Sequence, residues 1–418
     1  MLPLLIHLPL ILFLLVRVQK NLRAPALLLG LAFSIRLLCG WGVGWLYLTY
    51  YSANDTWLLF DEAVKLSGVA GKSLKDYITL LWVDDANLLN QAGLSVVQDR
   101  SLLFIRIISI FNLFCFNCYW VVSAYFSLIS FLAAWFLYQK VIDFQPQTKH
   151  AAAVAFLFIP SVVFWSSGII KETLALAGIF VLAGCLIAFV QKKKLPLVQW
   201  LMVLPALYIS WGLKYYWTAI FMASAFSIFL YALTERNVPM VAKARIPVWL
   251  GIFILLLVGA SLVHPNFYLE RFLEVVITNH DQFISVSNPE DVIHYHQLTA
   301  TWESLVINAP WALFSGLFRP FLGEASGMTA MIASFENLLF LIFTLAAFAQ
   351  IRQLLIIPHR VLLWALIAYV ILLIIFLALS TPNFGTLSRY RVGLLPFFVY
   401  LILLDNPLVT QIRRLVGR

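Results

Sequence analysis

The leading candidate for acid–base chemistry is a carboxylate that follows an apolar stretch of helical length. Asp55 comes just after the apolar run 25–50, and Asp61 and Glu62 follow it. A carboxylate in this position can reach a lipid headgroup while it stays hydrated, so Asp55 is the candidate general base or metal ligand. Apolar residues recur at helical spacing over 58–82, which predicts an amphipathic helix along a membrane surface. Asp61 and Glu62 then either take part in catalysis or belong to the solvated face of that helix.

Two lysines at tight connections between apolar runs are candidates for substrate binding. Lys171 and Glu172 end the segment 160–172, which leaves almost no loop between two apolar runs. Ionisable residues so close to a membrane are costly unless they are paired or used. Lys171 therefore either binds phosphate or pairs with Glu172 at the start of the next helix, where the helix dipole favours the carboxylate. Lys214 is likewise a charged residue at a tight connection between two apolar runs. Its aromatic neighbours are also typical of a membrane interface.

Two arginine motifs in the second half of the chain add further candidates for substrate binding. One contains Arg319 and Glu324, and the other is Arg389-Tyr390-Arg391. A guanidinium presents a planar fork of donors that matches phosphate oxygens, so the arginines around Tyr390 predict a lipid phosphate or diphosphate as their ligand. An anchor for ordinary membrane lipid headgroups is the alternative.

The remaining polar residues give weaker signals. Three histidines, His280, His294 and His296, lie in one polar segment, but their spacing defines no ligand set of fixed geometry. The sequence thus predicts no certain cofactor, and a divalent metal stays an open alternative. Arg36 lies inside an apolar run, where a cation is either functional or paired. The polar group 334–337 follows the first arginine motif.

The composition is that of a membrane protein. Of the 418 residues, 62% are hydrophobic and 11% are charged, whereas soluble domains carry about 25% charged residues. A helix needs roughly 20 mostly apolar residues to cross the hydrocarbon core, and such stretches recur along the whole chain. The net charge is +9, and the Lys and Arg residues lie mostly in short clusters between apolar runs. This distribution is typical of residues that set the orientation of a protein in the membrane, and not of a nucleic-acid-binding surface. The predicted fold is therefore an all-α, polytopic membrane helix bundle.

We predict about eleven membrane-spanning helices in one domain that covers residues 1–418. The predicted spans are 3–16, 25–50, 119–139, 150–166, 173–191, 196–212, 216–233, 246–263, 334–351, 361–380 and 393–405. Two further apolar stretches, 102–118 and 304–318, are interpreted as interfacial or re-entrant segments. More than half of the 28 Lys and Arg residues then lie in short cytoplasmic connections, as the positive-inside rule requires.

Two long segments lie outside the cytoplasm on this topology. They cover 51–101 and 264–333, contain interfacial helices and hold most of the acidic residues. The shorter segment 381–392 is predicted on the same side. The carboxylates of the two long segments either form a solvated loop surface or line a polar reaction chamber above the membrane. The N-terminus is predicted outside and the C-terminus inside.

These motifs resemble those of the polytopic bacterial glycosyltransferases of the GT-C superfamily. The resemblance rests on Asn54-Asp55 in the first outer loop, the segment 160–172, Arg-Pro-Phe at 319–321 and Arg-Tyr-Arg at 389–391. The resemblance in architecture extends over most of the chain, whereas the resemblance in motifs is limited to these four short stretches. The acidic pair Asp-x-Asp or Glu-x-Asp of that superfamily is absent around Asp55.

The resemblance implies a transferase that takes its sugar from a polyprenyl-phosphate-linked donor. Transfer would take place at the periplasmic face of the bacterial inner membrane, to a glycan, lipid or protein acceptor that the sequence leaves open. Asp55 would supply the base for the acceptor hydroxyl, and Arg389, Arg391 and Lys171 would stabilise the leaving phosphate. We therefore expect these four residues to line one polar cavity.

Two alternatives share parts of this pattern. A polysaccharide polymerase or ligase would also have many spans, outer loops and external arginines, but would act on diphosphate-linked glycans. A lipid or glycan flippase or transporter would have paired broken helices in two halves and charges near the bilayer midplane. The sequence shows no repeat, so the second alternative is the weaker one.

Overall fold

The computed structural model describes residues 2–22, 24–51, 55–96, 98–193, 196–238, 240, 244–262, 268–324, 327–349 and 360–416. Over these residues the fold is helical, as predicted, and contains no strand. The only β-type pairing in the described chain is one isolated antiparallel bridge between Val292 and Asn383.

Twenty α-helices follow one another along the described chain. In order they are α1 Leu2–Leu22, α2 Ala26–Thr49, α3 Asp55–Lys72, α4 Leu74–Trp82, α5 Ala86–Gln91, α6 Asp99–Cys115, α7 Tyr119–Phe144, α8 Lys149–Ala153, α9 Pro160–Trp165, α10 Lys171–Val190, α11 Leu197–Leu201, α12 Val203–Asn237, α13 Arg245–Ala260, α14 Leu269–Val286, α15 Trp302–Phe318, α16 Met328–Phe348, α17 Arg360–Ser380, α18 Phe384–Tyr390, α19 Leu395–Leu403 and α20 Pro407–Val416. Short 3-10 turns lie at Pro146–Thr148, Pro289–Asp291 and Arg391–Gly393, and a π-helical turn lies at Val154–Phe158.

Seven helices of the described chain are long and apolar enough to cross a membrane, as in a multi-pass membrane protein. They are Leu2–Asn21, Ala26–Thr49, Tyr119–Phe144, Lys171–Val190, Leu197–Asn237, Met328–Phe348 and Arg360–Ser380. An eighth results if the pair Phe384–Gly393 and Leu395–Leu403, bent by 71°, is one span. The predicted number of about eleven is not confirmed.

The missing spans are segments that the structure breaks or shortens. The predicted span 150–166 is divided into α8, a π-helical turn and α9, and α9 begins at Pro160, which lacks the amide hydrogen that would continue the preceding helix. The predicted spans 196–212 and 216–233 form one apolar run with a non-helical residue, Lys214, inside α12. Helix α13 has 16 residues, which is short of a full crossing.

The two stretches interpreted as interfacial or re-entrant are single helices of 17 residues each, α6 and α15. The predicted amphipathic helix 58–82 is two helices, because Ser73 ends α3 and accepts a hydrogen bond from the amide of Asp76 as the N-cap of α4. The buried residues of α3 follow the expected helical spacing, so the amphipathic pattern is present. Its position at a membrane surface stays a prediction.

The described chain forms two compact units, each of which is described by itself. Unit 1 comprises Met1–Phe136, Val163–Leu182 and Leu201–Tyr215, and unit 2 comprises Leu137–Val162, Ala183–Trp200 and Tyr216–Arg418. Helices α7, α10 and α12 each contribute residues to both units. The units are therefore interleaved along the chain and do not correspond to successive domains.

Unit 1 is organised around a close approach of α2 to the turn that follows α9. Gly40 and Gly168 lie in direct backbone contact, and a Cβ atom on Gly168 would come within 2.6 Å of the Gly40 carbonyl oxygen. The buried guanidinium of Arg36 in α2 donates to the hydroxyls of Ser130 and Ser166. These contacts fix the turn against α2, and α3 packs across α6 in the same unit.

Unit 2 packs α14 and α15 against α17, and α16 against α19. Gly316 lets α15 approach the side chains of Ile374 and Ala378 closely. The Tyr369 hydroxyl of α17 donates to the Gly393 carbonyl at 2.8 Å. These contacts fix the 3-10 turn that follows the arginine motif.

Candidate functional site

Asp55 is the exposed first residue of α3, and its neighbour Thr56 fixes it in place. Thr56 is buried, and its hydroxyl donates to the carbonyl of Ile169. Its single proton is used there, so the Tyr119 hydroxyl donates to the Thr56 oxygen at 2.8 Å. Since Ile169 lies two residues before Lys171, these bonds bring the first two candidate motifs together in unit 1.

Trp57 strengthens the same junction. Its indole nitrogen donates to the Gly44 carbonyl of α2 at 3.0 Å. Its ring stacks on Tyr119 with ring centroids 3.8 Å apart. The start of α3 is therefore held against α2, α7 and the turn 166–170 through Thr56 and Trp57.

The two other predicted catalytic carboxylates differ sharply in environment. Asp61 is exposed. Glu62 is 1% exposed and accepts hydrogen bonds from the Lys65 ammonium at 2.7 Å, the Ser95 amide at 2.7 Å and the Ser95 hydroxyl at 2.9 Å. Burial alone raises the pKa of Glu62, but these donors and the amide of Val96 outweigh it and lower the pKa overall. Its contacts tie the segment before α6 to α3.

Lys171 begins α10 and is half-buried. Its ammonium donates to the Ser101 hydroxyl in the first turn of α6 at 2.8 Å. Arg100, one residue earlier, is exposed and lies over the Tyr215 ring at 5.3 Å. Two cations thus lie near the ends of α6 and α10, in the part of unit 1 that also contains the start of α3.

Arg100 was not among the residues predicted from sequence, although a signal was present. It occupies the first turn of α6, where the helix dipole disfavours a cation. A cation in an unfavourable electrostatic position is a candidate for binding an anion.

Glu172 and Lys214 form an ion pair inside unit 1. The Lys214 ammonium lies 2.7 Å from a Glu172 carboxylate oxygen, and the two side chains are 6% and 0% exposed. Lys214 is the non-helical residue within α12, with φ −143° and ψ 67°. Because a buried charge is costly without a partner, the pair accounts for the presence of both residues among apolar helices.

Arg319 and Glu324 also pair with each other, in unit 2. The Arg319 Nε lies 3.0 Å from each Glu324 carboxylate oxygen, and Glu324 also accepts from the Phe321 amide at 2.8 Å. The guanidinium lies over the rings of Trp311 and Phe384, at 5.5 and 4.9 Å from their centroids. This arrangement holds the turn after α15 against the start of α18.

Arg391 is fully buried in unit 2, with 0% exposure. It donates to the Asn337 side-chain oxygen at 2.5 Å and to the carbonyls of Gly316 and Leu317 at 3.3 Å. The guanidinium thus joins the end of α15 to α16. Arg389 and Tyr390, on α18, are half-buried.

Glu336 and Asn337, from the polar group after the first arginine motif, are part of this buried network. Glu336 is 7% exposed and accepts from the Ser161 amide at 3.1 Å. Asn337 donates to the Pro320 carbonyl at 3.0 Å. The first and second arginine motifs are therefore connected through α16.

The structure brings the predicted site residues into two groups. Unit 1 contains Asp55, Asp61, Glu62, Lys171, Glu172 and Lys214, and unit 2 contains Arg319, Glu324, Arg389, Tyr390 and Arg391. The approach of Asp55 to the Lys171 motif follows from the bonds of Thr56. A cavity shared by Asp55 with Arg389 and Arg391 stays a prediction.

Across the described residues, no three His, Cys, Asp or Glu side chains form a group that could hold a metal ion. His294 contacts the Pro289 carbonyl at 3.0 Å and His280 contacts Asp281 at 3.0 Å. Neither arrangement is a ligand set.

No known protein family, curated protein or solved structure matches this chain.

Proposed function

We propose that the chain is a membrane glycosyltransferase that moves a sugar from a polyprenyl-phosphate-linked donor to an acceptor at the periplasmic face of the bacterial inner membrane. The observation that supports the proposal is the bond from Thr56 to Ile169, which joins the residue after Asp55 to the turn two residues before Lys171. A carboxylate and cations held on rigid helix ends are the groups that transfer from a phosphate requires.

The reaction assigns a role to each group. The acceptor oxygen attacks the anomeric carbon, the bond from that carbon to the phosphate oxygen breaks, and Asp55 takes the acceptor proton. The leaving oxygen gains negative charge, which Lys171 and Arg100 stabilise. Arg389 remains a candidate second contact to the lipid phosphate, because its guanidinium fork suits phosphate oxygens.

The buried members of the predicted site have a different role in this proposal. Glu62, Glu172, Lys214 and Arg391 are held by protein partners. We assign them to positioning the helix ends. Asp55, Lys171 and Arg100 are the side chains that contact substrate.

Asp55 can be tested with the full chain reconstituted in liposomes. The donors are a panel of polyprenyl-phosphate hexoses, a membrane extract supplies acceptors, and release of polyprenyl phosphate is measured by mass spectrometry. Asp55→Asn keeps the shape of the side chain but removes the base, so turnover should fall at least about 100-fold. Asp76→Asn is the matched control, because Asp76 also lies in the first turn of a helix in unit 1.

Two results would contradict the proposal. Unchanged turnover in Asp55→Asn would leave the reaction without its base. Turnover with diphosphate-linked glycans alone would assign the chain to the polymerase or ligase class.

A further inference from the structure

Unit 2 contains an apolar cavity that the proposed reaction does not use. It has a volume of about 110 Å³ and lies between α7, α10, α12, α17 and α19. Its walls are almost entirely hydrocarbon. The hydroxyls of Tyr369 and Tyr400 have partners in Gly393 and Thr148, and the Ser224 hydroxyl is the one lining hydroxyl without a hydrogen-bond partner among the described residues. A water needs about 10–15 Å³ and two to four polar partners, so this cavity suits hydrocarbon far better than water.

A second, polar pocket adjoins the cavity. It has a volume of about 290 Å³ and shares Ile228 and Leu362 with the walls of the apolar cavity. Lys192, Arg236 and Arg245 line it, and Glu235 is the one acidic residue among the described residues of its wall. The two spaces together therefore have an apolar end and a cationic end.

The charges of this polar pocket are only partly neutralised within the described chain. Glu235 lies 3.3 Å from Arg245 and accepts from the Tyr231 hydroxyl at 3.0 Å. Arg236 lies over the Phe189 ring at 4.7 Å and donates to the Phe189 carbonyl, so its charge is positioned but not balanced. The exposed Lys192 ammonium has no hydrogen bond or ion pair to any described residue.

The backbone at Lys192 has an unusual conformation. Lys192 follows α10 with a φ of +57°, in the left-handed region. Glycine or asparagine usually occupies this position after a helix, and other residues have a cost of roughly 1–2 kcal/mol there. The side chain of Lys192 lies in the wall of the polar pocket.

We propose that this composite pocket binds one anionic phospholipid, with part of an acyl chain in the apolar cavity and the phosphate between Lys192 and Arg236. An amphipathic ligand is the only class that satisfies both ends of the space. The cationic residues Lys192, Arg236 and Arg245 belong to connections that the positive-inside rule places in the cytoplasm, next to a leaflet rich in anionic lipid. None of the residues of this pocket is assigned a role in the proposed transferase reaction.

The test uses the purified full chain in detergent and native mass spectrometry, with phosphatidylglycerol and phosphatidylcholine of the same chain length as probes. The wild type should bind phosphatidylglycerol more tightly than phosphatidylcholine. The double variant Lys192→Gln and Arg236→Gln should bind phosphatidylglycerol roughly 30-fold more weakly and lose the preference between headgroups. Arg271→Gln, an exposed arginine elsewhere in unit 2, is the charge control and should bind as the wild type does.

The part of the site that is proposed to hold the acyl chain is tested by substitutions that fill the apolar cavity. Ala225→Phe should abolish binding of both lipids, and the smaller change Ala183→Leu should weaken binding of both if the first variant does not fold. Equal affinity of the wild type for the two lipids overturns the proposal, as does unchanged binding in the double charge variant. A folded cavity variant with unchanged affinity would overturn it as well, because the headgroup alone would then explain the binding.

Discussion

The charged side chains of the candidate site divide into buried ones and more exposed ones. Glu62 and Arg391 are almost fully buried and are held by several hydrogen bonds each. Asp55 and Arg100 are exposed, and Lys171 is half-buried. Burial among several protein partners favours a structural role, because such a group is shielded from substrate. The second group therefore contains the residues to test for catalysis.

Glu62 gives a prediction of stability and its pH dependence. Glu62→Gln should lower the free energy of unfolding at pH 7 by about 1.5–3 kcal/mol, because charge-assisted hydrogen bonds to Lys65 and Ser95 are lost. The folded-state pKa of Glu62 is lowered, so its carboxylate stabilises the fold above the ordinary glutamate pKa of about 4.3. That contribution disappears as the pH falls through the folded-state pKa.

The prediction for Glu62→Gln is checked by thermal unfolding in detergent. The melting temperatures of the wild type and the variant are measured at pH 7 and at lower pH values. The two melting temperatures should converge as the pH falls below about 4.3. Asp61→Asn removes the neighbouring exposed carboxylate and should leave the melting temperature at pH 7 almost unchanged. A difference between the wild type and Glu62→Gln that is constant with pH would show that the charge of Glu62 does not contribute.

At the scale of elements, the site in unit 1 depends on how closely α2 approaches the turn before α10. Gly168 has a φ of +72° and its backbone touches Gly40. The same turn carries Ile169, which accepts the hydrogen bond of Thr56. Displacement of this turn would therefore move Lys171 away from the start of α3.

Gly168→Ala should destabilise the fold by at least about 2 kcal/mol. A Cβ atom there would meet the Gly40 carbonyl oxygen at 2.6 Å, and the left-handed backbone adds a cost of about 1–2 kcal/mol. Gly68→Ala is the matched control, since Gly68 lies within α3 with no atom within 4 Å of its added Cβ. That change should be neutral or stabilise by up to about 1 kcal/mol. Equal melting temperatures for the two variants would show that the close approach contributes nothing.

At the scale of the whole molecule, unit 2 has two ends that agree with the predicted topology. Lys193 lies 3.9 Å from Asp143, and Lys192, Arg236 and Arg245 line one pocket. Charged residues from the three predicted cytoplasmic connections, namely Asp143, Lys192, Lys193, Arg236 and Arg245, therefore lie at one end of the unit.

The opposite end of unit 2 contains predicted outer segments. Tyr295 donates to the Ala378 carbonyl near the end of α17, and Asn383 donates to the Ser287 hydroxyl. Helix α17 has 21 residues, or about 30 Å at 1.5 Å per residue, which matches the hydrocarbon thickness of a bilayer. Which end faces the cytoplasm stays a prediction.

Labelling of single cysteines in whole cells tests the orientation. In a variant without the four native cysteines, Glu290→Cys should react with a membrane-impermeant thiol reagent, and Lys193→Cys should react only after permeabilisation. Both positions are exposed, so access to the side chain is matched. Labelling of position 193 in intact cells would reverse the topology and move the proposed catalytic face to the cytoplasm.

The sequence by itself determined the class of fold and the identity of the spans that are long and uninterrupted. Apolar content and run length are local properties, so α2, α7, α10 and α17 were predicted within a few residues. The same criterion failed at 150–166, where a π-helical turn and Pro160 interrupt an apolar run. The mean hydropathy of a segment does not show where a helix is interrupted, so hydropathy predicted more spans than the structure contains in its described residues.

Only the tertiary structure decided which charged residues meet. The sequence marked Glu172, Lys214, Arg319, Glu324 and Arg391 as candidates for binding substrate. The reason was the cost of charges near a membrane for Glu172 and Lys214, and the fit of a guanidinium to phosphate oxygens for Arg391. The structure shows protein partners for each of them, including residues as distant in sequence as Asn337 for Arg391. It also brought Asp55 to the turn of Lys171 through Thr56, and revealed Arg100. Which charged residues pair depends on how the helices pack in three dimensions, and this packing cannot be read from the hydrophobic periodicity of the sequence.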